Sequence, residues 1–234
     1  MDSNMDKNKK LQEFWNQVFL MDEKTKQEIK DNLKEEDYVS LAPSEKLFNG
    51  VKDLSSCKNV LDYGCGNGWA SIVLAKSKCK KVTSVDTSAN SIDSLRFYAS
   101  IFKADNIDAF PIDFDWLSKE KDSIYDGLVC SNVLDVVDED TSNMIIKDLN
   151  RVLKKGAKII IGLNYYISAE SAKKKAIVFE NGNELYVDGI LRLLNKSDEE
   201  WINSFSKYFK VIKLDHFAWP NEEKETRRLF YLEK

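Results

Sequence analysis

The residues best placed to do chemistry form one short run, Asp62-Tyr63-Gly64-Cys65-Gly66-Asn67-Gly68, directly behind the apolar pair Val60-Leu61. An apolar run ends in an acid, glycines follow at alternate positions, and the apolar-periodic residues 71–76 continue as a helix. A strand, a tight loop and a helix N-terminus are how open α/β sheets build nucleotide pockets. Glycine has no Cβ, so such a loop can take positive φ and let a ligand lie against the backbone. A second acid, Asp86, closes Val82-Thr83-Ser84-Val85 and lies 22 residues after Gly64. A carboxylate at that strand end can accept from both hydroxyls of a ribose, with Thr87 as the adjacent wall. The dinucleotide fingerprint needs Gly-x-Gly-x-x-Gly, and neither Gly64 nor Gly66 as the first glycine supplies the third.

These residues need a sheet to hold them, and the pattern from residue 58 onward provides one. Strands are predicted over 58–62, 81–86, 107–112, 125–131 and 157–165. Helices are predicted over 68–76 and 88–102, and from Asp140 or Thr141 to 154, with Gly156 as the stop. The run 125–131 is apolar enough to be buried on both faces. Strand and helix in alternation predict a parallel sheet with helices on both sides and right-handed crossovers. Residues 177–179 and 185–187 read as a hairpin around Asn181-Gly182. Ser197-Asp198-Glu199-Glu200 is a capping box that opens another helix. Two last strands, 210–217 and 227–232, share a short polar connector and should pair antiparallel.

Before the glycine run, three helices are expected. Leu11, Phe14, Trp15, Val18 and Phe19 form an amphipathic stripe, Asp22 caps a second helix, and Pro43 opens a third. A short helical extension cannot bury its stripe alone. Residues 1–57 are therefore expected either to fold over the carboxyl edge of the sheet as a cap or lid, with Trp15, Phe19 and Tyr38 as candidate contacts to a bound substrate, or to pack on the outside of the sheet.

The run Asp-x-Gly-x-Gly-x-Gly resembles motif I of the class I S-adenosylmethionine-dependent methyltransferases. The resemblance covers roughly residues 59–165 by ordered motifs and the two last strands by topology. It implies a Rossmann-like α/β fold, with a mostly parallel seven-stranded sheet, an antiparallel last strand and an N-terminal helical cap. Residues 58–234 would form the S-adenosylmethionine-binding domain, with a β insertion near 170–195. The resemblance implies that Asp62, Gly64, Cys65 and Gly66 hold the methionine part of the cofactor. Asp113 would accept from the adenine amino group and Phe114 would pack on the ring, with Asp115 as a competing choice. The carbonyl of Ser131 or Asn132 would meet the ammonium, and side chains from 132 to 135 would face the substrate. Base-modifying enzymes of this family carry Asn/Asp-Pro-Pro-aromatic or a Pro-Cys nucleophile here, and Ser131-Asn132-Val133-Leu134-Asp135 has neither.

Methyl transfer from a sulfonium needs alignment and, for some acceptors, a base. Asp135 and the single histidine, His216, are the candidate bases. Tyr165 and Tyr166 follow the fifth strand at the carboxyl edge, where they could line an acceptor pocket. Arg227-Arg228 reads as a solvated pair opening the last strand. The net charge of −4 gives no general attraction to phosphate backbones, so no nucleic-acid partner is expected. The cysteines at 57, 65, 79 and 130 contain no Cys-x-x-Cys pair, so neither a metal site nor a disulfide framework is expected. Residues 1–10 are polar and charged, and no apolar run approaches the ~20 residues of a membrane span. The expectation is a cytoplasmic S-adenosylmethionine-dependent methyltransferase, monomer or homodimer, acting on a small-molecule acceptor. A protein or RNA acceptor, a cofactor sensor without chemistry and a nicotinamide-dependent oxidoreductase are the alternatives.

Overall fold

The chain begins with helices Asp2–Val18 (α1) and Glu23–Asn32 (α2), a 3-10 segment Glu35–Leu41, and helix Glu45–Lys52 (α3). The alternating part follows as Val60–Tyr63 (β1), Trp69–Lys76 (α4), Val82–Asp86 (β2), Ala89–Phe102 (α5) and Ile107–Pro111 (β3). It continues as Trp116–Lys119 (α6), Tyr125–Ser131 (β4), Glu139–Val152 (α7) and Leu153–Leu163 (β5). An insertion holds Ala169–Lys174 (α8), Glu184–Val187 (β6) and Ile190–Leu194 (β7). Asp198–Phe205 (α9), Lys210–Phe217 (β8) and Arg227–Glu233 (β9) complete the order. The computed structural model describes residues 2–234, so residue 1 of the cap expected over 1–57 lies outside the described residues.

Seven strands form one sheet in the order β3-β2-β1-β4-β5-β9-β8. β3, β2, β1, β4 and β5 are parallel, and β9 runs antiparallel to both of its neighbours. The last strand is thus the reversed one, as expected. Successive residues of a strand face opposite sides, and the core divides accordingly. Leu128, Cys130, Ile159 and Ile161 pack with α7 and α9 through Ile146, Leu149, Trp201 and Phe205. Val129 and Ile160 pack with α3 and α4 through Leu47, Val51, Val73 and Leu74. Among the described residues, no helix is long and apolar enough to cross a membrane.

Four local expectations are corrected. The hairpin does not turn at Asn181-Gly182: β6 and β7 are joined by Asp188-Gly189, with φ of 53° and 74°. Positive φ at both positions makes a type I′ turn, which favours Asp-Gly. Asn181-Gly182-Asn183 makes only a small loop whose ends, Glu180 and Glu184, form an isolated bridge. Asp138, rather than Asp140 or Thr141, caps α7 by accepting from the Thr141 amide. Gly156 does not terminate that helix. It lies inside β5 at φ 78° and donates its N–H to the Lys234 carbonyl at 2.6 Å. Pro43 precedes the cap Ser44 instead of opening α3.

Candidate active site

The carboxyl edge of the parallel strands gathers most of the expected residues. Asp62, one residue before the end of β1, is 2% exposed, and its carboxylate accepts from Ser71 Oγ at 2.5 Å. Ser71 Oγ lies 2.7 Å from Ser84 Oγ. Burial pushes the Asp62 carboxyl up to about 7, the Ser71 hydrogen bond opposes this, and the nearby Asp86 charge adds to it. The amides of the glycine loop face inward. Gly64 and Cys65 donate to the Val85 carbonyl at 2.8 and 3.0 Å, and Gly68 donates to the Cys65 carbonyl at 2.9 Å. The loop therefore offers a ligand acceptors, backbone carbonyls and the Asp62 carboxylate, which suit an ammonium. Its glycines answer to packing as much as to the ligand. A Cβ at Gly64 (φ +71°) would stand 2.2 Å from Val133 Cγ2, and one at Gly68 (φ +82°) 2.3 Å from Leu95 Cγ. Cys65 packs with Ile92 and Leu95, and burial holds its thiol far above the usual range, so it is a filler and not a nucleophile.

Asp86 ends β2. Its Oδ2 accepts from the Gly66 amide at 2.9 Å and its Oδ1 from the Ser88 amide at 2.8 Å. Burial raises its carboxyl above the ordinary range, and these two amides pull it back. A carboxylate has about four lone-pair sites, so two remain for hydroxyl donors. Beside it opens a cleft of about 220 Å³ lined by Thr87, Ala89, Pro111, Ile112 and Asp113, with Gln12 and Asn16 of α1 on the opposite wall. Thr87 and Asp113 thus share one cleft. Phe114 is partly buried and does not line it. Trp116 packs edge-to-face on Phe110 at 5.8 Å, as part of the core.

At the end of β4, Asn132 takes φ 57° and donates its amide to the Gly162 carbonyl at 2.8 Å. Its Oδ1 accepts from Ser131 Oγ at 3.2 Å, while the buried Nδ2 has no partner among the described residues. An orphaned buried donor costs about 1–3 kcal/mol, and a ligand acceptor at this point would remove that cost.

The candidate bases fare differently. Asp135 is fully buried, its Oδ2 accepts from the Asn164 amide at 2.6 Å, and its carbonyl accepts from the Leu194 amide at 2.7 Å. Burial raises its carboxyl, with the Asn164 amide and the Arg228 charge opposing. It ties β4, β5 and the hairpin together, while its buried Oδ1 has no partner among the described residues. His216 lies on β8, at the far edge of the sheet from the cleft, where Nε2 is 3.1 Å from Asp198 Oδ2. Tyr165 and Tyr166 are 40% and 46% exposed just past β5. The Arg227 guanidinium lies 5.6 Å from the Tyr165 ring and 3.7 Å from that of Trp219. Tyr38 is not near the cleft: it packs against Phe48 and under Lys76, at the C-terminal end of α4, whereas the glycine loop adjoins the N-terminal end. The reason is its place in the 3-10 segment, which packs along α4 and α5 at their far ends. Arg227 and Arg228 are 6% and 0% exposed, so they are not a solvated pair.

Trp15 stacks on Phe19 at 5.9 Å, and the Phe19 ring covers Gly66, with Cζ 3.0 Å from where a Cβ would stand. Two further α1 residues escaped the sequence reading. Gln12 Nε2 donates to the Thr87 carbonyl at 2.6 Å, and Asn16 Oδ1 accepts from Ser88 Oγ at 2.8 Å. The available signal was their i, i+4 spacing on the polar flank of the apolar stripe. Another face of α1 lines a smaller cleft, with Lys7, Leu11, Val136, Val137, Tyr186 and Leu191 around it.

Asp62 also makes a pH prediction. The fold binds its proton more tightly than the unfolded chain, whose carboxyl titrates near 3.9. The stability associated with Asp62 is present at low pH and lost as pH rises from about 4 to about 7. Asp62→Asn stays neutral throughout. Free of ligand, it is expected to exceed wild type at pH 8 by about 2–4 kcal/mol, with the difference vanishing near pH 4. Urea unfolding at both pH values checks this; an equal difference at pH 4 and pH 8 would count against it.

Residues 60–156 match the family model described as a methyltransferase domain. No curated protein sequence matches the chain significantly. Solved structures share the fold at low identity. TehB from Haemophilus influenzae is 20% identical with a TM-score of 0.63, over 86% of this chain and 67% of that one. An S-adenosylmethionine-dependent methyltransferase from Methanosarcina mazei is 19% identical with a TM-score of 0.60, over 75% and 92%. The cyclase SpnF is 18% identical with a TM-score of 0.55, over 75% and 62%, so one architecture carries more than one reaction. Residues 60–156 thus match a methyltransferase domain, set in a fold shared with S-adenosylmethionine-dependent methyltransferases of known structure.

Proposed function

We propose that the protein binds S-adenosyl-L-methionine along the carboxyl edge of β1, β2 and β3, passes its methyl group to a small-molecule acceptor and releases S-adenosyl-L-homocysteine. The observation that carries this is the row of acids near the carboxyl ends of three neighbouring strands, Asp62 one residue before the end of β1, Asp86 ending β2 and Asp113 two residues past β3, with an open cleft beside the last two. The buried, unpartnered Asn132 Nδ2 at the end of β4 supports the fit. Bound S-adenosylmethionine supplies a methyl group already activated on a sulfonium. Asp62 and the loop carbonyls accept from the ammonium, and Asn132 Nδ2 donates to the carboxylate. Asp86 accepts from the ribose hydroxyls, Thr87 walls the cleft, and Asp113 accepts from the adenine amino group.

The rest of the chain's work is alignment and exclusion of water. The cap over residues 1–57 acts as the lid through α1, with Phe19 on Gly66 and Trp15 on Phe19. Tyr165 and Tyr166, exposed just past the carboxyl end of β5, are the candidate walls for the acceptor. The cysteines are unpaired and buried, which supports a reducing, cytoplasmic setting.

The test has two stages. Calorimetric titration of the wild type with S-adenosylhomocysteine is expected to give saturable binding, and its absence sinks the proposal. Incubation of cell extract with methyl-labelled donor is then expected to put label in the low-mass fraction. Label in protein or RNA instead, or no turnover, would select one of the alternative acceptors or a cofactor sensor.

A further inference from the structure

We infer that α1 is part of the donor site itself: Gln12 and Asn16 grip the adenosine end of S-adenosylmethionine and read its base. The inference rests on the donor reading above. Residues 12 and 16 are one helical turn apart and so share a face. Both line the cleft that holds Thr87, Ile112 and Asp113. Each uses half of its carboxamide to hold the loop behind Asp86, Gln12 through Nε2 on the Thr87 carbonyl at 2.6 Å and Asn16 through Oδ1 on Ser88 Oγ at 2.8 Å. Asn90 Nδ2 adds a bond to the Asn16 carbonyl at 2.8 Å. This is the same loop whose Ser88 amide orients the Asp86 carboxylate.

The other halves, Gln12 Oε1 and Asn16 Nδ2, have no hydrogen-bond partner among the described residues. One is an acceptor and the other a donor. An adenine edge presents an amino donor beside a ring-nitrogen acceptor, the pattern that side-chain carboxamides complement. Hypoxanthine replaces the amino donor with a carbonyl, which would face Gln12 Oε1 and Asp113 as acceptor against acceptor.

The experiment compares S-adenosylhomocysteine with S-inosylhomocysteine by calorimetry on the full chain. Wild type is expected to prefer the adenosine form. The double variant Gln12→Ala/Asn16→Ala is expected to bind S-adenosylhomocysteine about tenfold more weakly and to lose at least threefold of that preference. Asn16→Asp keeps the acceptor for Ser88 and replaces the free donor by an anionic acceptor, so it should also weaken S-adenosylhomocysteine while the protein stays folded by its thermal melt. Unchanged affinity in both variants, or an equal loss for both ligands, overturns the inference and leaves α1 as a packing element. A wild type that binds neither ligand instead overturns the donor reading from which the inference starts.

Discussion

Asp86→Ala is expected to weaken S-adenosylhomocysteine binding at least 100-fold while leaving the protein folded. The carboxylate is oriented before any ligand arrives, by the Gly66 amide at 2.9 Å and the Ser88 amide at 2.8 Å. Hydrogen bonds to a charged group contribute about 1.5–3 kcal/mol each. Two lost ribose bonds therefore correspond to at least about 3 kcal/mol, where 1.4 kcal/mol is tenfold in affinity. The variant also leaves both amides without their acceptor, which loosens the loop that should meet the sugar. Fold stability should change less than affinity, because burial already disfavours the charged carboxyl in the ligand-free protein. Calorimetry beside a thermal melt separates the two effects. Affinity within threefold of wild type would remove Asp86 from the donor site.

The largest effect on stability is expected at Arg228, a residue outside the cleft. It is 0% exposed, donates Nε to the Asn164 carbonyl at 2.7 Å and Nη1 to the Lys196 carbonyl at 2.5 Å, and lies 3.6 Å from Asp198. Its charge is also among those that oppose the upward shift of buried Asp135. Arg228→Met would strand two carbonyls and leave Asp135 without its nearby cation. Removing one member of a buried charged set costs about 3–5 kcal/mol. At about 2–4 °C per kcal/mol for a chain of this size, the melting temperature should fall by roughly 10 °C or more. Adding Asp135→Leu should recover part of the loss, since replacing both partners by apolar groups is far milder than orphaning one. Thermal melts of the single and double variants test this. A single variant within 1 kcal/mol of wild type, or a double variant additive in its losses, would refute the coupling.

The places where expectation and structure part have a common cause. The acids at 62, 86 and 113 were legible because each ends an apolar run, and a strand end in a parallel sheet has only one place to be. Arg227-Arg228 was misread because charge in a sequence gives no hint of the counter-charges that burial recruits from other elements. Here Glu222 takes Arg227, while Asn164, Lys196 and Asp198 surround Arg228. The hairpin was misplaced because two turn signals, Asn181-Gly182 and Asp188-Gly189, compete within ten residues, and pairing of Leu185 with Leu193 decides between them. Asp135 and His216 have the right residue types for a base, but no local pattern shows that one is buried against the Asn164 amide and the other faces Asp198 at the sheet edge.

What the sequence determined alone is the sheet, its reversed last strand, the glycine loop and the acids that follow it. All of these depend on local periodicity, turn chemistry and strand ends, which neighbouring residues carry. Only the tertiary structure decided which side chains share a cleft: that Gln12 and Asn16 of α1 face Thr87 and Asp113, that Tyr38 lies at the other end of α4, and that the glycines at 64 and 68 yield to Val133 and Leu95. Those contacts join residues far apart in the chain, and their geometry is set by how helices dock on the sheet, which no local pattern encodes.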